Sequence, residues 1–360
     1  MFQEKTDVLD TPSDETAPES TSVKKEIRSI GFYRREIMPR LAPEVFEVNF
    51  GRLVFFGLAA IGSLGAFYAI VFLNPTWPIK LLLGVMIGMC NGIIGFVVHE
   101  LLHGSVVKNP KLQTFLGFFG LMPYVISPTY WKFVHNRLHH GKTQQTIRDP
   151  DAFPTLRVYK SSKFVQAIFP FTPGSGYKRS YFYFFFWLSF HEFVAQIYLR
   201  FRNGVFDAMD HRRVTIELSA QIAILVTMLL VAGPSNWIWV MVIPIAIQNY
   251  SLMSYISTNH NLSPLTSDND PLMNSLTVTN HPALEFMTLN FGYHVEHHLF
   301  PTVSGKHAKL IHRELVRSFP DTYKHMPKWQ AMKALYATAR IYKNSKTLIH
   351  PETLHTFDTI

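Results

Sequence analysis

Residues 79–103 of the chain read IKLLLGVMIGMCNGIIGFVVHELLH. The first twenty are almost all apolar, and about 20 apolar residues are needed for a helix to cross the hydrocarbon core of a bilayer. The run ends on His99 and His103. Histidine is costly inside a bilayer and usually has a function where it occurs. The stretch therefore predicts a transmembrane helix that brings imidazole side chains to one surface of a membrane.

Three further apolar segments have a similar length, and short turns at residues 74–78 and 233–236 join the four segments into two pairs. Each pair has the pattern of a helical hairpin that enters and leaves the same side of a membrane. We predict transmembrane helices at about residues 53–73, 79–98, 216–232 and 237–256.

Polar segments flank this predicted membrane domain, which spans residues 46–340. Residues 1–45 are first acidic and then basic, with few apolar side chains, and we predict that they are disordered. Residues 341–360 are predicted to be a C-terminal tail. Within the domain, residues 304–318 predict an amphipathic helix, because their apolar side chains fall on one stripe.

The composition limits the class of function. The net charge is +9 over 360 residues, but the basic residues flank the apolar segments and do not alternate with aromatic residues along a stripe. We therefore predict no nucleic-acid partner. Lys and Arg beside spans fit the cytoplasmic bias of positive charge and contacts with anionic lipid headgroups. The single cysteine, Cys90, excludes a disulfide framework and a cysteine-rich metal site.

Eight of the 17 histidines fall into three clusters beside or between the apolar segments. The clusters are His99-Glu-Leu-Leu-His103, His135-Asn-Arg-Leu-His139-His140 and His294-Val-Glu-His297-His298. Imidazole is a ligand for iron, zinc, copper and nickel, and eight imidazoles are too many for one tetrahedral ion. The pattern therefore predicts two metal ions. A ninth candidate ligand is His260, just beyond the last predicted span.

The spacing within the clusters predicts how the rings are presented. On a helix, residues four apart lie on one face, and His135 and His139 have this spacing. His140 is rotated by about 100° from His139, so an adjacent histidine pair can send one ring to each of two metals. The same reasoning applies to His99 and His103 and to His294, His297 and His298.

A single site requires all three clusters on one side of the membrane. Two spans precede the first cluster, and one hairpin lies between the second and third, so four crossings meet this requirement. Residues 181–199 cannot then cross alone, and we predict that this aromatic-rich segment lies in the interface. The hairpin turns carry no charge, whereas Lys108, Arg200 and Arg212 lie on the other side. The positive-inside rule therefore predicts that both termini and all clusters are cytoplasmic.

The predicted fold is thus an all-α integral membrane protein: four transmembrane helices in two hairpins, with a cytoplasmic helical cap that carries a histidine-rich di-metal site. The cap is expected to comprise residues 99–215 and 257–340. The expected location is a bacterial inner membrane or the endoplasmic reticulum.

The clusters match, in order, the three histidine boxes HxxxH, HxxxHH and HxxHH, and together they resemble the membrane fatty-acid desaturase family. The resemblance extends over roughly residues 50–340. The stretch from Tyr255 to Pro301 is similar to the acyl-lipid and bacterial members of the family. It contains Thr258-Asn-His-Asn261 and Asn290-Phe-Gly-Tyr-His-Val-Glu-His-His-Leu-Phe-Pro301.

The resemblance implies an oxidoreductase that uses O2 as co-substrate and introduces a double bond into an acyl chain. It implies that the eight box histidines bind two iron ions and that His260 matches an additional histidine found in some members. Some members also hold a metal-bound water with an asparagine four residues earlier. Here that position is Ile256, so the role would pass to Asn259 or Asn261 or be absent.

The resemblance also implies the partners. The substrate is expected to be a fatty acyl chain linked to a lipid or to a carrier, reached from the surrounding membrane lipids. The sequence has no fused cytochrome b5 haem motif, which implies a separate electron donor of the ferredoxin or cytochrome b5 type. We expect an apolar tunnel for the acyl chain, lined by Tyr130, Trp131 and Phe133, although these residues would serve equally well as interfacial anchors.

Acidic residues near the boxes are candidates to orient the ligands, because a carboxylate can accept a hydrogen bond from the second ring nitrogen of a metal-bound histidine. Two of them lie inside boxes and are the stronger candidates, and two follow the second box. They are Glu100 and Glu296, and Asp149 and Asp151.

Other functions fit parts of the pattern. A hydroxylase, ketolase or alkane monooxygenase would use the same metal site, and ligand spacing does not separate these from a desaturase. His99-Glu100-Leu-Leu-His103 also fits the HExxH motif of zinc metalloproteases, with Glu100 as general base, but that function leaves six histidines idle. A metal transporter is disfavoured, because the histidines cluster outside the spans and do not follow a path through them.

Overall fold

A computed structural model describes residues 27–146 and 148–360, and these residues are mainly helical. The helices are α1 (Ile30–Ile37), α2 (Arg52–Tyr68), α3 (Trp77–Leu102), α4 (Pro110–Leu121), α5 (Pro128–Trp131), α6 (His140–Lys142), α7 (Leu156–Ser161), α8 (Lys163–Ile168), α9 (Tyr183–Ile197), α10 (His211–Ala232), α11 (Ile243–His260), α12 (Pro271–Asn274), α13 (Pro282–Met287), α14 (His294–Leu299), α15 (Ala308–Ser318) and α16 (Lys328–Ala337). Three π-helical segments, each continuous with a neighbouring helix, are Ala69–Leu73, Lys132–His139 and Ile238–Val242.

The described residues also form short 3-10 helices between several of these helices, and four short strands. The strands are β1 (Thr277–Thr279), β2 (His325–Pro327), β3 (Thr347–Ile349) and β4 (Thr356–Asp358). β1 pairs with β2 in parallel, and β3 pairs with β4 as an antiparallel hairpin.

Among the described residues, four helices are long and apolar enough to cross a membrane. They are Arg52–Leu73, Trp77–Leu102, His211–Ala232 and Ile238–His260. The prediction of four spans in two hairpins is therefore confirmed. The second and fourth helices continue past the predicted ends of the spans, so the first box begins on the last turn of α3, and α11 ends at His260.

Glycines bring α3 close to α11. Gly84, Gly88 and Gly92 are spaced four residues apart, the small-residue pattern that lets membrane helices approach closely. A Cβ atom on Gly88 would lie 2.6 Å from the Cβ of Ile247, so only glycine allows this contact. The close packing fixes the first box and His260 relative to each other, because each lies at the end of one of these two helices.

Helix α9 lies beside α11 and has two different faces. Asn249 of α11 accepts a hydrogen bond from the backbone N of Ser189 and donates one to its Oγ. The buried face of α9 carries Glu192 and Gln196, and its exposed face is rich in phenylalanine. At 15 residues, α9 is shorter than the four candidate spans. Its position in the membrane interface stays a prediction.

Part of the N-terminal segment differs from the expectation of disorder. Residues 27–45 include α1, whose Tyr33 and Ile37 are buried against α14 and α15. Tyr33 also donates a hydrogen bond to Asp270. The segment is basic overall, but Tyr33 and Ile37 are four residues apart and form a short apolar stripe on one face of α1. This stripe packs on the cap. The remaining residues of the predicted disordered segment, 1–26, lie outside the described residues.

The predicted C-terminal tail, residues 341–360, contains the β3–β4 hairpin. Tyr342 and Leu348 are buried, and Tyr342 exchanges backbone hydrogen bonds with Pro154 and Leu156. These contacts attach the C-terminus to the segment that follows the second histidine box.

Candidate metal centre

The nine predicted histidines converge where α3 and α11 end. They form two groups, and within each group one nitrogen from every ring lies within 4.8 Å of the others. The five-histidine cluster comprises His99, His103, His135, His140 and His297. The four-histidine cluster comprises His139, His260, His294 and His298. Each group is of a size that one metal ion can accept as ligands.

Both adjacent histidine pairs divide between the two clusters. His139 belongs to the four-histidine cluster and His140 to the other, while His297 and His298 divide in the opposite order. This is the arrangement expected from neighbouring residues on a helix, whose side chains diverge by about 100°. The two clusters are therefore held side by side by the second and third boxes.

The second box departs from the expected α-helical spacing. His135 was expected to share a face with His139, but its partner in the five-histidine cluster is His140. The cause is the π-helical segment: the backbone N–H of His140 donates to the carbonyl of His135, five residues earlier. A π-turn therefore aligns residues five apart, and turns of this kind are frequent at functional sites.

The ring nitrogens within each cluster face one another at short distances. The Nε2 atom of His135 lies 3.0 Å from that of His99 and 3.2 Å from that of His140. In the four-histidine cluster, the Nε2 atom of His294 lies 2.6 Å from that of His260 and 3.1 Å from that of His298.

In the four-histidine cluster, the hydrogen-bond partners of the Nδ1 atoms indicate which nitrogen of each ring carries the proton. His260 Nδ1 lies 3.3 Å from the carbonyl of Asn274, which can only accept, so Nε2 of a neutral ring is a bare lone pair. His298 Nδ1 lies 3.4 Å from Thr143 Oγ1, whose own hydrogen is donated to the carbonyl of His139. By the same reasoning Nε2 of His298 is also a bare lone pair. A neutral His294 ring has one hydrogen, so it can donate to Nε2 of His260 or of His298 but not to both. A cation between the rings would remove the repulsion between the lone pairs that still face each other. The four-histidine cluster therefore fits a metal ion.

The five-histidine cluster fits a metal for a related reason. The Nε2 atom of His103 is buried and has no hydrogen-bond partner among the described residues. A buried polar atom without a partner is costly, and a bound cation would satisfy it.

Burial, and then repulsion from neighbouring imidazoles, lowers the pKa of most of these histidines well below the usual value. The residues concerned outside the membrane-spanning helices are His103, His135, His140, His294, His297 and His298. A lowered pKa keeps the rings neutral at neutral pH, which is the form that binds metal.

His139 differs because two carboxylates contact it. Its Nδ1 atom lies 3.1 Å from Asp149 and 3.3 Å from Asp151. Burial alone would lower the pKa of His139, but Asp149 and then Asp151 outweigh burial and raise the pKa to about 9. Asp149 is itself fixed by the backbone N–H of Gln144, at 2.7 Å. The carboxylates point Nδ1 outward and leave Nε2 facing the cluster, as is common for metal-bound histidine.

Glu100 has a different position from the one expected. Its carboxylate accepts hydrogen bonds from Arg52 Nε at 3.2 Å and Ser304 Oγ at 2.7 Å, and Arg52 Nη2 lies 2.9 Å from its other oxygen. Among the described residues, no histidine of the boxes forms a hydrogen bond with Glu100. Its buried ion pair instead joins α2, α3 and the loop before α15. Arg52 was not predicted from the sequence to be a partner of Glu100, although a charged side chain at the start of a transmembrane helix needs a partner.

Glu296 is also bound by residues outside the boxes. Thr277 and Tyr323 donate hydrogen bonds to its carboxylate, and His312 Nδ1 lies 3.1 Å from it. Within the described chain, no ligand candidate forms a hydrogen bond with this side chain. Glu296 therefore anchors the helix of the third box to β1 and α15. The sequence offered no signal for His312 or Tyr323, because their contact with Glu296 depends on tertiary packing.

An apolar cavity of about 390 Å³ reaches the histidines. Its wall includes five ligand candidates, which are His99, His135, His139, His260 and His294. Tyr130 and Trp131 line it as expected, whereas Phe133 does not and packs instead near Phe206. The segment 146–172 supplies the largest part of the remaining wall, and α9 and α11 supply further apolar side chains.

Some of the side chains that line the cavity are exposed, and others are buried. Three of its lining side chains are exposed: Phe164 by 57%, Phe190 by 38% and Leu199 by 37%. Leu121 and Tyr124, which also line the cavity, are buried.

A family model described as fatty acid desaturase matches residues 75–329. The chain belongs to the fatty acid desaturase family. The matched residues of this desaturase-family protein contain all three boxes and His260, whereas α1 and the β3–β4 hairpin lie outside them. Membership makes the protein an oxidoreductase of the desaturase or hydroxylase type that acts on a fatty acyl substrate. A comparison with curated proteins finds no significant match.

Proposed function

We propose that the protein is a membrane-bound, O2-dependent fatty-acyl desaturase, which introduces a double bond into an acyl chain at a di-iron centre with electrons from an external donor. The observation that carries this proposal is the division of nine imidazoles into clusters of five and four, each of which contributes rings to the wall of one apolar cavity. A single metal would leave one of the two clusters without a function.

All nine histidines are proposed as iron ligands, with His260 as the ninth. Five rings would hold one iron and four would hold the other, and binding of the metal would displace the proton that the raised pKa keeps on His139. When bound, the two irons would supply the oxidising power that removal of hydrogen from an unactivated methylene group requires. Neutral ligands add no negative charge, so Asp149 and Asp151 beside His139 are the nearest charge compensation among the acids discussed above.

The residues of the chain bind and place the substrate. The apolar wall of the cavity would bury an acyl chain and exclude water from the reacting carbon. Trp131 stacks on His135 with ring centroids 4.4 Å apart and lies edge-on to His99 at 5.7 Å. Trp131 lines the cavity together with these two rings, so it is placed to hold the chain against the metals and to fix the His135 ring.

The acidic residues of the boxes support the site without touching the substrate. Glu100 and Glu296 are not among the side chains that line the cavity, and both are engaged by other side chains. We propose that they keep the first and third boxes in register with α2 and α15. The same contacts argue against the zinc-protease alternative, in which Glu100 would have to act on a metal-bound water.

We further propose the cellular setting. The termini and the metal centre would face the cytoplasm, α9 would lie in the interface, and a separate electron carrier of the ferredoxin or cytochrome b5 type would dock from the cytoplasm. The exposed phenylalanines of α9 and its neighbours, including Phe182, Phe185 and Phe193, support an interfacial position.

The activity can be tested by expressing the chain in a host whose membrane lipids have been profiled. We expect a new unsaturated acyl species that is missing with the empty vector and with the His294→Ala variant. A new hydroxyl or keto group without a new double bond would favour a hydroxylase or ketolase instead. If the folded, iron-loaded protein leaves the acyl profile unchanged when a donor is present, the proposed function is wrong.

A further inference from the structure

The two histidine clusters have different charges beside them. In the four-histidine cluster, Nδ1 of His139 lies 3.1 Å from the carboxylate of Asp149 and 3.3 Å from that of Asp151. Within the described chain, none of the histidines of the five-histidine cluster is paired with a carboxylate; the other such pairs involve His191 and His312, which belong to neither cluster. Negative charge is therefore concentrated on one of the two clusters.

A cation lies on the other side of the metal centre. Arg34 of α1 donates from Nε to the carbonyl of Leu299 at 2.6 Å, and Leu299 directly follows His298 in the third box. The ring of His298 stacks on that of His140, with centroids 4.3 Å apart. Burial and then neighbouring imidazoles lower the pKa of His140, and the positive charge of Arg34 lowers it further. The charge of Arg34 therefore acts on a ligand candidate of the five-histidine cluster.

The charge of Arg34 is not cancelled by an acid. Among the described residues it forms no ion pair, and its guanidinium contacts the neutral carbonyl of Leu299 and the ring of Phe300, whose centroid is 5.8 Å away. Burial lowers the pKa of Arg34, but a guanidinium keeps its proton at neutral pH. Arg52, which lies near the first box, is by contrast paired with Glu100.

Charges beside a metal change how readily the metal is reduced. A carboxylate bonded to a ligand histidine makes the ring a stronger donor and favours the ferric ion, which has the larger positive charge. A nearby cation has the opposite effect, because it repels ferric iron more than ferrous iron. Over several ångströms in a partly solvated site, one unit charge is enough to change the ratio of ferrous to ferric iron roughly tenfold.

We propose that Arg34, together with Asp149 and Asp151, makes the two metal positions unequal, so that iron in the five-histidine cluster is reduced before iron in the four-histidine cluster. This inference rests on the proposed function and names the first acceptor of the external electrons. In each step a ferric ion takes one electron from the external donor and becomes ferrous. The three side chains act through the ligand histidines. Arg34 lies outside the residues that the family model matches, so this feature is additional to the matched region.

The test is a redox titration of the purified, iron-loaded protein without acyl substrate, in which Mössbauer spectroscopy counts ferrous and ferric ions at each applied potential. The unaltered protein should be reduced in two steps. Arg34→Gln removes the charge but can still donate to Leu299, so the ratio of ferrous to ferric iron in the first step should fall about tenfold at a fixed potential. For a one-electron couple this shift is about 59 mV. The second step should stay within about twofold.

Two further variants separate charge from shape. Arg34→Lys is the matched control, because it keeps the charge and should leave both steps within about twofold. Asp151→Asn removes a charge from the four-histidine cluster, so the ratio in the second step should rise by about threefold, with the first step unchanged. Asp151 is the better acid to change, because Asp149 also accepts a hydrogen bond from the backbone N of Gln144.

The outcomes separate this inference from the proposed function. Equal shifts of both steps in Arg34→Gln, or the same shift in Arg34→Gln and Arg34→Lys, would overturn the inference, because the effect would not come from a local charge. Should Arg34→Gln lose its iron, Asp151→Asn decides: a rise confined to the second step supports the inference, and equal changes or none overturn it. A protein that binds no iron would overturn the proposed function as well, whereas two irons that are insensitive to these charges overturn the inference alone.

Discussion

At the scale of single residues, the metal centre depends on which nitrogen of each ring is free. Asn274, Thr143 and Asp149 each contact an Nδ1 atom and leave the corresponding Nε2 atom facing the four-histidine cluster. Partners of this kind fix the orientation of a ring before a metal arrives, so less order has to be created on binding. The contact between His260 and Asn274 shows that His260 is oriented in the same way as the histidines of the boxes.

His260→Ala tests this equivalence. Removal of the ring leaves the four-histidine cluster with three nitrogens, and we expect bound iron to fall from about two per chain toward one, together with loss of double-bond formation. Metal analysis of purified, folded protein gives the first result and lipid profiling gives the second.

The matched control is His281→Ala, because His281 is a nearby exposed histidine outside the boxes. Its ring accepts a hydrogen bond from the backbone N of Ala283 and contacts no box histidine among the described residues. It should keep its iron and most of its activity. Equal iron content in the two variants would remove His260 from the ligand set.

At the scale of elements, polar side chains of two helices hold the segment that begins the second box. Glu217 of α10 accepts hydrogen bonds from Ser127 Oγ, Thr129 Oγ1 and the backbone N of Thr129. Gln196 of α9 bonds the backbone of Val125 and Ser127. These contacts anchor the start of α5, from which the π-helical second box continues. The box is thus positioned by helices that supply none of the nine ligand candidates.

Glu217→Ala should therefore weaken the second box. Loss of the carboxylate leaves the partners on Ser127 and Thr129 unpaired, at a cost of about 1–3 kcal/mol for each buried group. We expect a lower Tm and faster loss of iron to a chelator. Glu36→Ala is the control, because Glu36 forms an exposed pair with Arg40 and should cost about 0–1 kcal/mol. If the two variants lose iron at the same rate, α10 does not position the box.

The sequence predicted the positions of the long helices but not the local backbone geometry of the second box or the burial of α1. Apolar runs of sufficient length predicted the four spans, and the stripe at 304–318 predicted α15, whose Ile311 and Leu315 are buried. The π-turn that pairs His135 with His140 was not predictable, because nothing in the spacing of a histidine box distinguishes it from an α-turn. The ordered α1 was missed because its burial depends on Asp270 and on α15, which are distant in sequence.

The same limit applies to the acidic residues. Glu100 and Glu296 were the favoured partners of the ligand histidines because both lie inside boxes, next to a histidine in the sequence. The structure places Asp149 and Asp151 beside His139 and gives the two glutamates partners such as Arg52. A residue next to a ligand on a helix points in another direction, so adjacency in sequence is a poor guide to contact.

At the scale of the whole molecule, the account requires that all three boxes face one side of the membrane. This holds only if α9 does not cross. Cysteine labelling with a membrane-impermeant maleimide tests it in a Cys90→Ala background. Lys178→Cys and Asn203→Cys, both exposed and on either side of α9, should label from the same side, which we predict to be cytoplasmic.

Ser235→Cys, in the turn of the second hairpin, is the control and should label only from the opposite side. Labelling of Lys178→Cys and Asn203→Cys from different sides would mean that α9 spans the membrane. The three boxes could then not share one surface, and a single site would be impossible with this order of helices.

The central claim is that the two histidine clusters hold two irons, and metal analysis of the purified protein tests it most directly. Nine imidazoles in groups of five and four predict about two irons per chain, with little zinc, and a lower iron content after replacement of His103 or His298. One zinc per chain with no iron would contradict the claim.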